Sequence, residues 1–325
     1  MLYIIGLGLN DERDIGERAK KAAEASVECY CELYTSKWFG SIPNLQAEIK
    51  NKIQIVNRKF LEEDSEKFIE KARKSKITLF VPGDPLCATT HINLIAEARQ
   101  KKVKVKIIHN ASIFSAIGET GLQLYKFGKT ATVPFSGHTN SARDTLKLNK
   151  KSGLHTLLLL DLRAEEKTFM HPEVAIELLL HRKLLKNTDE ILIASRLGKN
   201  SDIKFGTASE LSRTKMDTPA VVIVPGKLHF AEREMIEFYR IKKRKGIKPE
   251  EVVKSVKKRL NKTIGKSRKL VKKTVGKKIN KKISKYGKKI SKKLNKKLKT
   301  VTRKKKTKRK TTKKKVTKKK TKRKR

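Results

Sequence analysis

Apolar runs bounded by turn residues recur along the first 240 positions, at Leu2–Leu9, Ile77–Val81, Val103–Ile108, Leu154–Leu160, Glu190–Ala194 and Ala220–Val224. Most are near-continuous Val, Ile and Leu, the pattern of strands covered on both faces. Helical spacing intervenes. Ile15, Ala19, Ala22, Ala23 and Ser26 share one helical face, and Ile92, Ile95, Ala96 and Arg99 recur at similar intervals. Alternation of this kind predicts an α/β fold with mainly parallel sheets. A change between two lobes is expected near His109–Gly121, where the small-residue-rich HNASIFSAIGETG follows the third run. That gives an N-terminal α/β lobe over 1–110 and a C-terminal α/β lobe over 111–242.

The most informative local motif is VPGDPLCATTH, Val81–His91. Two prolines around a glycine pre-shape the turn after a buried-type strand, and Thr89 or Thr90 is placed to cap a following helix. Turns at the carboxyl ends of sheet strands are where α/β folds hold small ligands. Asp84, held between Gly83 and Pro85, either accepts hydrogen bonds from a ligand or caps the turn. Gly6-Leu7-Gly8-Leu9 superficially suggests a dinucleotide fingerprint, but the third glycine is missing and Asp11 and Glu12 stand where they would repel a pyrophosphate. Asp11 and Asp14 instead suit the start of a helix. No Walker A, HExxH or GxSxG motif is present, and none of the seven histidines pairs at metal-ligand spacing, so no metal site and no catalytic residue is assigned.

Charge changes the picture only at the far end. Residues 1–240 hold 38 Lys and Arg against 30 Asp and Glu, whereas residues 241–325 hold 44 against 2, so nearly all of the net +50 resides in the last stretch. Within 263–295 an 11-residue repeat keeps Gly265, Gly276 and Gly287 in register, and Val275, Ile279 and Ile283, then Tyr286, Ile290 and Leu294, step by four. Such like-charge density predicts a Lys-rich extension, disordered or an amphipathic helix, that binds RNA or DNA by phosphate neutralisation. Cys29, Cys31 and Cys87 build neither a disulfide framework nor a zinc knuckle. No run approaches the roughly 20 apolar residues of a membrane span, and the chain is expected to be soluble and cytoplasmic.

The segments LYIIGLGLNDERDI, Tyr34-Thr35-Ser36, TLFVPGDPLCATTH, SIFSAIGETGLQLYKFGKTATVPF, GLHTLLLLDLRAEE and VVIVPGKLHF occur in the order and spacing of archaeal diphthine synthases. The resemblance covers roughly residues 1–240. Its GDP turn is shared across the tetrapyrrole-methylase-like superfamily, while GDPLxATTH with LYKFGK and VPGKLH is more specific. The resemblance implies a two-lobed, S-adenosylmethionine-dependent methyltransferase, usually a homodimer. Its substrate would be translation elongation factor 2, methylated on the amino group of a 3-amino-3-carboxypropyl-histidine. Carried over by position, the cofactor contacts would be Leu9, Asp84, Cys87, Ser112, Ile113, Leu160, Leu197 and Ala220. Departures fall at Cys87, at Ala220 and in Phe135–Asp144, the last expected on the substrate side. Two alternatives stand beside this reading: a related tetrapyrrole methylase, and a nucleic-acid-binding protein with an idle methylase lobe.

Overall fold

The computed structural model describes residues 1–163, 166 and 168–241. The Lys-rich extension and its repeat lie outside the described residues. Five strands, β1 (Leu2–Gly6), β2 (Glu28–Glu32), β3 (Ile53–Val56), β4 (Ile77–Val81) and β5 (Val105–Ile108), form a sheet in the order β3-β2-β4-β1-β5. Every pairing within it is parallel. Crossover helices supply the return paths: α1 (Glu17–Glu24), α2 (Ile42–Ile49), α3 (Arg58–Glu62), α4 (Ser65–Lys74) and α5 (His91–Gln100).

Both faces of this sheet are covered, which explains its apolar runs. Leu2, Ile4, Ile77 and Leu79 pack with Phe68, Ile69 and Ala72 of α4 and with Leu94, Ile95 and Ala98 of α5. On the other face Ile5, Cys29, Cys31 and Phe80 meet Ala19, Ala22 and Ala23 of α1 and Leu45 and Ile49 of α2. The Leu, Ile and Phe side chains withdrawn here each contribute about 1.5–3 kcal/mol. The expected face of α1 is the buried one. That of α5 is not: Ile92 is 58% exposed, and the helix instead buries His91, Leu94, Ile95 and Ala98. Packing against α4 and the sheet rotates the stripe by one position.

A short helix α6 (Ile113–Ala116) leads into the second half. There β6 (Ala131–Val133), α7 (Asn140–Lys151), β7 (Thr156–Leu160), the small hairpin β8 (Leu162–Arg163) and β9 (Thr168–Phe169), α8 (Pro172–His181), β10 (Glu190–Ser195), β11 (Asp202–Thr207), α9 (Ala208–Leu211), β12 (Ala220–Val224) and α10 (Phe230–Glu237) follow in order. The main sheet runs β11-β10-β12-β7-β6. Here the parallel expectation meets a different pattern, because only β6–β7 pairs in parallel while β7–β12, β12–β10 and β10–β11 are antiparallel. Continuous apolar runs report burial on two faces, not strand direction. This sheet too is covered twice, by Ala175, Ile176 and Leu179 of α8 on one side and by Ile117, Leu122 and Ile236 on the other.

Thr90 occupies the position before α5 without capping it. Its hydroxyl donates to Glu62 at 2.7 Å, and the Thr89 hydroxyl donates to the Pro85 carbonyl at 2.6 Å. The two threonines tie the turn to its surroundings instead.

Candidate functional site

Gly8, just beyond β1, and Gly83, just beyond β4, face each other across the sheet end. Gly8 N–H donates to the Gly83 carbonyl at 3.1 Å, and Gly83 N–H donates to the Gly8 carbonyl at 2.9 Å. Both take positive φ, 74° and 71°. A Cβ on Gly8 would come 2.6 Å from the Asp14 carboxylate, so glycine is required there sterically as well as conformationally. Asp14 in turn accepts from the Leu9 and Asn10 amides at 3.1 and 2.8 Å. A protein carboxylate thus already satisfies the loop amides that a phosphate would seek.

Gly83 of this locked pair and Leu9 beside it line a cleft of about 410 Å³, inside the roughly 300–1,000 Å³ of small-molecule sites. Leu9, Asp84, Cys87, Ser112, Ile113, Leu160, Leu197 and Ala220 all line it. They arrive from the ends of six strands in two sheets. The carboxyl ends of β1, β4, β5, β7 and β10 contribute. Parallel strands would put Ala220 at a carboxyl end as well; that expectation is corrected here, since Ala220 stands at the amino end of β12 and reaches the same rim because β12 runs antiparallel to β7 and β10. Gly198, with φ 85°, lets the loop after β10 close on Leu9: a Cβ there would stand 2.6 Å from that of Leu9.

Asp84 is 6% exposed. One oxygen accepts from Leu86 N–H at 2.9 Å; the other meets His109 Nδ1 at 2.8 Å and Asn110 N–H at 3.2 Å. Burial raises its pKa, but these hydrogen bonds and the imidazole outweigh it and hold the carboxyl below the usual value. Asp84 therefore caps the turn, the second of the two roles expected from sequence, and does so on the wall of the cleft. Burial pushes the Cys87 thiol up, so it is a neutral wall residue. Ser112 caps α6, accepting from Phe114 N–H at 3.2 Å, which fixes Ile113 beside it.

Sequence reasoning did not assign several lining residues: Tyr34, Thr35 and Ser36, Arg58, Thr89 and Thr90, Asp161 and Arg196. The first three follow β2, a strand hidden in sequence because Glu28 and Glu32 bracket only three apolar residues. Glu32 is 0% exposed, and its carboxylate accepts from the Tyr34 and Thr35 amides at 2.9 and 3.1 Å and from the Thr35 hydroxyl. It folds the triplet back into the cleft. The one available signal was the polar Tyr-Thr-Ser run itself. The segment Phe135–Asp144, expected on the substrate side, supplies no lining residue. It touches the site through Phe135 N–H, which donates to Asp161 at 2.8 Å.

Leu9, Ile113, Leu160, Leu197 and Ala220 give one part of the cleft aliphatic walls, which fit a nucleoside carrying a sulfonium chain. The Arg196 Nε, buried on the same wall, has no hydrogen-bond partner, while its Nη1 pairs with Asp217 at 3.1 Å. A donor left open beside an apolar cavity suits a ligand oxygen. Elsewhere, His155 is structural: its Nε2 lies 2.9 Å from Glu232, which also holds Lys126 and the Gln123 amide. Among the described residues no helix is long and apolar enough to cross a membrane.

The family model of Tetrapyrrole (Corrin/Porphyrin) Methylases matches residues 1–212. A diphthine synthase of Methanococcus maripaludis is 35% identical over 250 residues, covering 73% of this chain and 98% of that protein. A diphthine methyl ester synthase of Dictyostelium discoideum is 36% identical over 271 residues, covering 75% and 99%. A crystal structure of diphthine synthase superposes with a TM-score of 0.69 at 35% identity, covering 74% of this chain and 96% of that one. With the cleft, the two sheets and these likenesses in agreement, the chain belongs to the diphthine synthases, S-adenosylmethionine-dependent methyltransferases within the tetrapyrrole methylase family.

Proposed function

We propose that this enzyme methylates the amino group of the 3-amino-3-carboxypropyl-histidine of translation elongation factor 2, with Leu9, Asp84, Cys87, Ser112, Ile113, Leu160, Leu197 and Ala220 holding the cofactor. The observation that carries the reading is that these residues, brought from two sheets, line a single cleft beside a second, polar set of side chains. When bound, S-adenosylmethionine supplies a methyl group already activated on sulfonium. The task of the chain is then to align a neutral amine with that methyl and to exclude water. Orientation of this kind lowers barriers by roughly 7–11 kcal/mol. The ammonium nitrogen would give one proton to solvent before each attack, and the N–C bond would then form as the S–C bond breaks. No side chain of the cleft is needed as a dedicated base.

The reading also takes in a cytoplasmic setting, a homodimer and a polyanion-binding extension. Tyr125, Phe230 and Phe238 are 81%, 76% and 77% exposed, and the Lys126–Glu232 pair ties their segments together. Exposed aromatics on segments joined in this way support pairing with a second copy, which sedimentation of the purified chain tests. The 44 basic residues against 2 acidic ones in 241–325 support binding to RNA or DNA. Mass spectrometry of elongation factor 2 incubated with enzyme and isotope-labelled cofactor tests the central reading. Label on the modified histidine is expected; turnover of a tetrapyrrole with no label on the factor would overturn it.

A further inference from the structure

The cofactor positions proposed above leave part of the cleft wall unassigned, and that part is polar: Tyr34, Thr35, Ser36, Arg58, Thr89 and Thr90. Among the described residues only two cations line the cleft, Arg58 and Arg196. Arg196 is paired with Asp217 at 3.1 Å and sits next to Leu197, within the cofactor set. Arg58 is not one of that set. It opens α3, whose first turn is capped by the Asn57 side chain accepting from Phe60 N–H at 2.9 Å. Its guanidinium carbon lies 5.0 Å from the centre of the Tyr34 ring; among the described residues Glu62 pairs with it loosely at 3.6 Å, and the buried Glu32 feels its charge. Glu62 is engaged by the Thr90 hydroxyl at 2.7 Å. The planar fork is thus held against an aromatic face at the cleft while 57% of the side chain stays open to solvent.

We propose that Arg58 is the anchor for the carboxylate of the acceptor. This rests on the functional reading above. The acceptor group carries an amine and a carboxylate on one carbon. Under that reading each transfer to nitrogen removes a hydrogen-bond donor and adds bulk there, whereas the carboxylate is left unchanged. A site that grips the constant group keeps the changing one aimed at the cofactor. A guanidinium matches a carboxylate through two parallel N–H···O bonds, which fixes orientation as well as charge. Stacking on Tyr34 pre-organises the fork, so less side-chain freedom is lost on binding. No proton or electron transfer is assigned to Arg58; it is a substrate-positioning residue.

The test is steady-state methylation of elongation factor 2 bearing the aminocarboxypropyl group by wild type, Arg58→Lys and Arg58→Gln, with cofactor affinity measured in parallel by calorimetry. Loss of one bidentate charge pair is expected to raise KM for the acceptor about 10- to 100-fold in Arg58→Gln. Arg58→Lys, which keeps the charge but not the fork, should fall between. Cofactor affinity should stay within about twofold of wild type, which also reports that the exposed substitution leaves the fold intact. An unchanged acceptor KM in a wild-type background that does turn over the factor overturns this assignment alone. A fall in cofactor affinity matching the fall in turnover overturns it by moving Arg58 into the cofactor site. Absence of turnover by wild type overturns the functional reading, and the anchor with it.

Discussion

Replacing Glu32 with glutamine removes an ionisable group that folding withdraws from water. Burial pushes its pKa from 4.5 up to about 7, against hydrogen bonds from Thr35 and Tyr34 and the charge of Arg58, which pull it down. Because the folded state prefers the protonated carboxyl, stability from this group is fully present below the unfolded value and is lost as the pH rises through about 7. At 1.36 kcal/mol per unit, the gap between 4.5 and about 7 corresponds to roughly 3 kcal/mol. Most of it, about 2–3 kcal/mol, falls between about pH 5 and about pH 8. Glutamine keeps a carbonyl for the Tyr34 and Thr35 amides, so the turn lining the cleft is retained and the titration is abolished. Urea unfolding of wild type and Glu32→Gln at those two pH values isolates the effect, since other titrating groups cancel in the difference. The variant should gain about 2–3 kcal/mol on wild type as the pH rises. An equal difference at both pH values would refute the claim that burial, rather than its hydrogen bonds, controls this carboxylate.

Glu232, also buried, should behave oppositely. Burial raises the pKa of Glu232, but the His229 and Gln123 amides, Lys126 and His155 outweigh it and bring the group to about 2. Its stability is present above about pH 4.5 and lost as the pH falls toward about 2. Glu232→Gln should therefore cost about 3–5 kcal/mol at neutral pH, read by chemical denaturation; a loss under about 1 kcal/mol would contradict the network. Asp84→Asn should weaken cofactor binding by about tenfold or more, because the hydrogen bonds that order the turn lose their charged acceptor, and calorimetry showing wild-type affinity would remove Asp84 from the site. Deleting residues 243–325 should abolish salt-sensitive retention on immobilised RNA and leave methyl transfer intact, since Met1–Lys242 forms its own compact unit. Lost turnover on the purified factor would show that the extension belongs to the catalytic machinery.

Sequence by itself determined the α/β class, the buried strands and the turns that punctuate them, because those depend on local apolar density and on residues such as Gly83 and Pro85 whose backbone preferences act within a few positions. It determined as well that positive charge is concentrated after residue 240. Strand direction in the second sheet, the rotation of the α5 face and the strand Glu28–Glu32 were left to tertiary packing. Each depends on which elements lie above and below, a fact no window of sequence contains. The same holds for the cleft. Asp84 and the GDP turn were legible, but Glu32 folding the Tyr-Thr-Ser triplet inward, Gly198 closing on Leu9, and Arg58 lying over Tyr34 join positions far apart in the chain. Contacts between distant positions are chosen by the shape of the whole fold, and only there does a run of ordinary polar residues become the wall of a binding site.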